Sequence, residues 1–144
     1  MGRGQSRQNK QSVSFRFDPI TVKRLKDRAA ESAAGQTALA ERYIDEGIRQ
    51  DEHPLIYFRE GAAGRRPALL GSRLDVAEAI TTIRQNGGSV EEAASYLEIP
   101  VEQLDAAARY YGEYKDEVDE LIERSRLAAE RERERWRHGR EALA

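Results

Sequence analysis

The sequence contains no cysteine, only two histidines and a single tryptophan in 144 residues. Without cysteine, disulfides and thiolate chemistry are excluded, as is common for cytoplasmic proteins. No apolar run approaches the roughly 20 residues that cross a bilayer. No signal-peptide pattern is found at the start of the sequence. We therefore expect a cytoplasmic protein with no membrane partner.

Groups for catalysis are also scarce. His53 precedes Pro54 at a predicted helix end, where capping or simple exposure explains it better than catalysis, and His138 lies in a charged tail. A group of carboxylates lacks the EF-hand order of ligands around a central glycine, so we interpret it as a solvated helix face. This group is Glu113, Asp116, Glu117, Asp119 and Glu120. We expect no enzyme activity, no cofactor and no metal.

Charge is segregated along the chain, although the net charge is only −2. Residues 1–30 carry a net +6 and residues 31–88 a net −2. Residues 89–123 carry two basic against eleven acidic side chains, a net −9, and residues 124–144 a net +3. A basic front and an acidic middle indicate different partners for different parts of the chain.

The N-terminal region predicts a basic arm followed by one strand. Residues 1–10 have no apolar anchor and are expected to be disordered. Between residues 12 and 17, side chains alternate between apolar and polar, as in a β-strand with two different faces. The apolar face consists of Val13, Phe15 and Phe17, and the polar face of Ser12, Ser14 and Arg16.

Two helices are predicted directly after this strand. Asp18 and Pro19 form a helix start, and the first helix is expected to reach about Ala33. Thr37 is expected to cap a second helix that ends near Gln50. No second strand follows nearby, so the predicted strand would leave its backbone groups unpaired. The economical solution is pairing with a second copy of the chain, which gives a homodimer.

A two-stranded ribbon of this kind fits the DNA major groove and presents its polar face to base edges. Arg16 would carry most of the discrimination, because arginine binds guanine through two hydrogen bonds. The first amides of the second helix would contact a phosphate, and two cations on the first helix would add attraction. The candidate DNA-binding residues are Ser12, Ser14, Arg16, Lys23, Arg24, Gln36, Thr37 and Ala38.

This order of elements resembles the ribbon-helix-helix superfamily of MetJ, Arc and CopG type. The resemblance covers roughly residues 11–50 and rests on the alternating strand, the helix start at Asp18, and the segments 35–37 and 38–42. It implies a dimeric DNA-binding domain that recognises double-stranded operator DNA. The alternative is a charged edge strand in an ordinary α+β domain.

The second half predicts a β-hairpin followed by helices. Residues 55–58 and 67–70 are expected to form two strands around a loop at 61–64. Capping boxes at Asp75 and Ser89 start two short helices, which end near Gln85 and Leu97. A turn at 98–100 precedes a third helix to about Tyr111, and a long polar helix runs from about 115 to 140. The predicted fold is therefore mainly α.

The predicted domain limits follow from these elements. Residues 11–51 form the ribbon-helix-helix unit, 52–113 a hairpin with a helix-turn-helix-like bundle, and 114–144 a charged C-terminal helix. The helix-turn-helix-like segment begins its second helix with Glu102 and Asp105, which oppose a phosphate backbone. We therefore interpret it as a protein-interaction or structural bundle rather than a DNA reader.

Three segments of the second half carry a further resemblance. They are Glu52-His53-Pro54, the stretch 64–71, and Arg73-Leu74-Asp75-Val76. Together they resemble the small domain that follows a ribbon-helix-helix front in VapB-type antitoxins paired with PIN-like toxins. Members often carry tryptophan after the Leu-Asp-Val motif, where this chain has Ala77. The resemblance implies an antitoxin that neutralises a PIN-like ribonuclease and represses its own operon.

The C-terminal helix is expected either to stand in solvent or to lie in a groove of such a toxin. In the second case an apolar stripe would anchor it, and arginines would pair with the acidic metal site of the nuclease. The candidate toxin-binding residues are Leu121, Ile122, Arg131, Arg133, Arg135, Trp136 and Arg137. The alternative function is a free-standing repressor whose second half senses a ligand, in a pocket near Tyr110, or forms oligomers.

Overall fold

The computed structural model describes residues 9–144, so most of the predicted basic arm lies outside the described residues. The chain divides into two units, Met1–Ile44 and Asp45–Ala144, and each is described by itself. This division falls inside a helix, seven residues before the limit predicted after residue 51. The domain boundaries predicted from the sequence stay predictions.

The described part of the first unit, residues 9–44, contains one helix and the beginning of another. Residues 9–18 belong to no helix or strand of the described chain. Helix α1 spans Pro19–Glu31 and starts at the expected proline, but the Asp18 side chain makes no capping bond. Instead the Asp18 carbonyl accepts the amides of Thr21 and Val22 at 2.9 and 3.1 Å. The strand predicted for residues 12–17 is not confirmed, because no strand among residues 9–144 pairs with this segment.

Helix α2 spans Gln36–Glu52 and continues into the second unit. The expectation that Thr37 caps this helix is wrong. The Leu39 amide donates to the Gly35 carbonyl at 3.0 Å, so Gly35 is the residue before the helix and Thr37 lies in its first turn. Glycine is among the residues favoured directly before a helix, because its backbone adopts the non-helical conformation of that position readily.

The second unit begins with the expected hairpin. Strands β1 (Ile56–Gly61) and β2 (Gly64–Leu69) pair antiparallel, with Ile56 opposite Leu69 and Gly61 opposite Gly64. The strands reach closer to the turn than predicted and leave a two-residue connection. Gly64 has a φ of 107°, a conformation open to glycine and rarely adopted by other residues.

Four helices follow the hairpin, close to the predicted limits. They are α3 (Val76–Gln85), α4 (Val90–Leu97), α5 (Val101–Glu113) and α6 (Lys115–Ala142). Both predicted caps form: the Asp75 carboxylate accepts the Glu78 amide at 2.8 Å, and the Ser89 hydroxyl accepts the Glu92 amide at 3.1 Å. Capping satisfies amides that the first helical turn leaves without acceptors.

The core of the second unit joins the hairpin to all four helices. Its fully buried side chains come from β1, β2, α3, α5 and the beginning of α6, and α4 adds two alanines. The largest of them are Ile56, Leu69, Val76, Leu104, Tyr110 and Val118. From Ala129 onward every residue of α6 is exposed. Residues 9–144 are thus mainly helical, with a small two-stranded antiparallel sheet and a long C-terminal helix.

Candidate functional site

The segment before α1 exposes both of its predicted faces. Val13, Phe15 and Phe17 are 66%, 61% and 52% exposed. The ring centroids of Phe15 and Phe17 lie 5.9 Å apart, which places these two side chains on the same side of the segment. Arg16 lies between them in sequence and is also exposed. The contact between the two rings agrees with the alternation read from the sequence.

The apolar side chains of α1 and α2 extend this exposed surface. Helix α1 buries none of its residues. A groove of about 260 Å³, lined by Phe17, Leu25, Tyr43 and Ile44 among others, opens on this unit. Ile44, on α2, is 46% exposed. Several large apolar side chains of the first unit are thus left exposed to solvent.

The remaining DNA-binding candidates are accessible, but one is engaged. Gln36, Thr37 and Ala38 lie exposed in the first turn of α2, where backbone amides lack helical acceptors. Lys23 forms an ion pair with Asp27 at 3.0 Å on the surface of α1. Arg24 lines the apolar groove, together with Thr21. Ser12 and Ser14, like Arg16, are exposed on the segment before α1.

The candidate toxin-binding residues of α6 separate into two groups. Leu121 is 7% exposed, and Ile122 is half-buried against the core of its own unit. These two side chains therefore pack within the second unit, and their assignment to a toxin contact stays a prediction. The other candidates, Arg131, Arg133, Arg135, Trp136 and Arg137, are exposed.

The exposed half of α6 holds its charges in local pairs. Arg135 lies 3.5 Å from Glu132, and Arg137 lies 3.3 Å from Glu134. Such pairs between exposed residues three positions apart add a few tenths of a kcal/mol each. The guanidinium of Arg140 lies 5.3 Å from the ring centre of Trp136, which is 64% exposed. This half-helix is a charged surface that carries one exposed aromatic side chain.

The surface of the helix-turn-helix-like pair, α4 and α5, is acidic at the end that would meet DNA. Glu102 and Asp105 are exposed in the first turns of α5. Glu98, in the turn before it, adopts a left-handed conformation with a φ of 56°. Carboxylates at this place oppose contact with a phosphate backbone. The interpretation of this pair as a structural or protein-binding unit stays a prediction.

A network around Arg49 was not foreseen from the sequence. Its guanidinium donates to both carboxylate oxygens of Glu117, at 2.6 and 3.1 Å, and to the Tyr110 hydroxyl at 2.9 Å. Burial opposes the charge of Arg49, but these bonds outweigh it and raise the pKa of Arg49. Burial also raises the pKa of Tyr110 to about 12. The bonded residues are 61 and 68 positions apart, so no local sequence signal indicates them.

The predicted ligand pocket near Tyr110 is occupied by the protein itself. Tyr110 is 1% exposed, and Phe58 contacts it with ring centres 6.4 Å apart. His53 contacts the same ring at 5.2 Å. Neighbouring side chains therefore cover the faces and edges of Tyr110 that a ligand would need.

His53 itself departs from its expected exposure. It is 8% exposed, and its Nε2 atom lies 3.1 Å from a carboxylate oxygen of Glu113. The acidic group on α5 and α6 is largely solvent-exposed, as expected, but at least three of its members also have partners. Glu113 contacts His53, Glu117 binds Arg49, and Asp119 binds Lys115 at 2.8 Å.

Comparison with known proteins returned no match: no protein-family model, no curated protein and no solved structure is significantly similar to the chain. Among residues 9–144, no helix is both long and apolar enough to span a bilayer.

Proposed function

We propose that this chain is the antitoxin of a type II toxin–antitoxin system. Its first unit would bind operator DNA as a ribbon-helix-helix homodimer and repress its own operon. Its second unit would neutralise a PIN-like ribonuclease. The sequence resemblances supply this reading, and the exposed apolar surface of the first unit is the structural observation that supports it.

The side chains that favour a dimer are Val13, Phe15 and Phe17. Each is more than half exposed, and full burial of such a side chain contributes about 1.5 to 3 kcal/mol. The same segment has backbone groups that no strand of residues 9–144 pairs. A second copy of the segment would satisfy both needs, because antiparallel pairing joins the backbones and puts the apolar faces together.

Dimerisation is tested by light scattering on the full chain after size-exclusion chromatography. We expect twice the 16.3 kDa mass of one chain. Phe15→Ser should produce monomers. Tyr96→Ser is the matched control, because Tyr96 is an exposed aromatic residue of the second unit. A native protein that is monomeric at micromolar concentration would refute the proposed ribbon.

DNA reading is tested on the promoter upstream of the gene by fluorescence anisotropy. Arg16→Ala should lower affinity for this promoter by about 5- to 150-fold, which corresponds to a lost bidentate base contact of about 1 to 3 kcal/mol. Affinity for random DNA should change much less. Lys26→Ala removes one exposed positive charge from α1 and serves as control. Equal losses on promoter and random DNA would refute base reading by Arg16.

Toxin binding is assigned to the exposed half of α6. Deleting residues 130–144 removes only exposed positions and spares Leu121 and Ile122. The shortened chain should therefore keep its fold and its DNA affinity, while losing affinity for a co-purifying nuclease. The partner is identified by mass after purification from the native cell. A stoichiometric PIN-like protein would support the proposal, whereas a homodimer without a partner would favour the free-standing repressor.

A further inference from the structure

One histidine and two carboxylates meet where α2 and α5 end. Glu52 is the last residue of α2 and His53 follows it, while Glu113 is the last residue of α5. One ligand atom from each residue lies within 4.8 Å of the other two. The residues come from positions 60 apart in the chain, so the fold, and no local motif, brings them together.

His53 is held in place before any ligand arrives. Only 8% of the residue is exposed, and its ring contacts the edges of Tyr110 and Tyr114 at centroid distances of 5.2 and 6.2 Å. Its Nε2 atom faces the Glu113 carboxylate at 3.1 Å. A fixed imidazole beside a carboxylate loses little conformational freedom when it binds an ion. Glu52 is exposed, so its carboxylate is accessible and can complete the set.

The charges around the three residues favour a cation. The guanidinium of Arg49 is a positive charge close to them, and it lies over the Tyr114 ring at 4.0 Å. Arg49 already forms ion pairs with Glu117 at 2.6 Å and with Asp45 at 3.1 Å. The carboxylates of Glu52 and Glu113 therefore add two negative charges beside a histidine. A divalent ion would offset them.

We propose that Glu52, His53 and Glu113 bind a divalent transition-metal ion of the Zn²⁺ or Co²⁺ class. Imidazole nitrogen suits these ions, and carboxylate oxygen completes the donor set in a chain without thiolates. With bonds of about 2.1 Å, tetrahedral ligands lie about 3.4 Å apart. The distance of 3.1 Å between His53 Nε2 and the Glu113 carboxylate is already near this value. The exposed Glu52 side chain would move closer to complete the site. Water would take the fourth position.

This site lies wholly within the second unit and is separate from the proposed DNA and toxin contacts. It also differs from the expectation from sequence, in which no metal is present. An ion bound to all three residues would join the end of α2 to the end of α5. It would therefore stabilise the folded second unit, since binding to the folded state alone raises stability by mass action.

The site is tested with the full chain, freed of any affinity tag and of bound metal by chelation. Calorimetric titration with Zn²⁺ should give one ion per chain. The thermal midpoint should rise by about 11 to 22 °C when Zn²⁺ exceeds its Kd by 100-fold. Co²⁺ should give the visible absorption of a four-coordinate ion. Absence of saturable binding by the native chain would overturn the proposal.

Paired variants distinguish this site from other surface groups. Glu52→Gln should lower Zn²⁺ affinity at least about tenfold, since even outer residues of metal sites contribute about 10- to 100-fold. Asp51→Asn, at the neighbouring exposed carboxylate, should leave affinity unchanged. His53→Gln should abolish binding, while His138→Gln, the only other histidine, should not. Because Glu52 is exposed, its variant tests the site even if the His53 variant fails to fold. Equal losses for Glu52→Gln and Asp51→Asn would refute the assignment.

Discussion

The buried ion pair between Arg66 and Asp75 should decide much of the stability of the second unit. Asp75 is 1% exposed and accepts a hydrogen bond from Arg66 at 2.7 Å, while its other carboxylate oxygen caps α3 through the Glu78 amide at 2.8 Å. One carboxylate thus joins strand β2 to helix α3. Its two roles can be separated by substitution, because asparagine caps helices as well as aspartate does.

Asp75→Asn keeps the cap and removes the charge. Breaking a buried pair leaves an uncompensated charge and costs about 3 to 5 kcal/mol. The Arg66 side chain is 12% exposed, so we expect the lower end of this range. Asp75→Ala also loses the cap, which adds about 1 kcal/mol. For a unit of this size, about 3 kcal/mol lowers the thermal midpoint by about 12 to 24 °C.

Urea denaturation followed by circular dichroism measures these losses. The double variant Arg66→Met with Asp75→Asn should recover most of the stability, because removing both charges leaves neither unpaired. If Asp75→Asn proves as stable as the native chain while Asp75→Ala loses about 1 kcal/mol, only the cap contributes. That result would refute a stabilising role for the ion pair.

Three further predictions concern single positions of the second unit. Leu104→Ala should cost about 2 to 5 kcal/mol in urea denaturation, because it opens a cavity at a fully buried site. Gly64→Ala should cost about 1 to 3 kcal/mol through backbone strain at its positive φ, measured the same way. The hydrogen bond from Lys115 outweighs partial burial and lowers the pKa of Asp119 to about 2. Its stabilisation should be complete above the ordinary aspartate range and be lost as pH falls through about 2. The difference in unfolding free energy between the native chain and Asp119→Asn should therefore shrink as pH falls below about 4.

Most elements of the second unit could be predicted because their signals are local. Asp75 and Ser89 cap their helices as the capping boxes indicate, and the hairpin forms between the expected strands. The prediction failed at Thr37, where Gly35 precedes the helix, because either residue is acceptable before a first turn. The strand predicted for residues 12–17 is not confirmed, since a strand is defined by hydrogen bonds to a neighbouring strand and residues 9–144 supply none to this segment.

The candidate site was harder to predict because side-chain partners depend on the packing of distant elements. Leu121 and Ile122 share an apolar stripe that could face either a partner or the core, and the sequence pattern is the same in both cases. In the structure both side chains pack within their own unit. No local sequence pattern indicated the contacts of Arg49, since its partners Tyr110 and Glu117 are more than sixty residues away.

The sequence by itself determined the helical character, the hairpin, the start of most helices and the segregation of charge. These follow from periodicity, caps and turn residues, which act over a few positions. Only the tertiary structure decided that His53 is buried beside Glu113 and that Asp75 pairs with Arg66. Those contacts exist because the core of the second unit brings the ends of separate elements together. Because Asp75 is buried, its charge is stabilised only while Arg66 is present to pair with it.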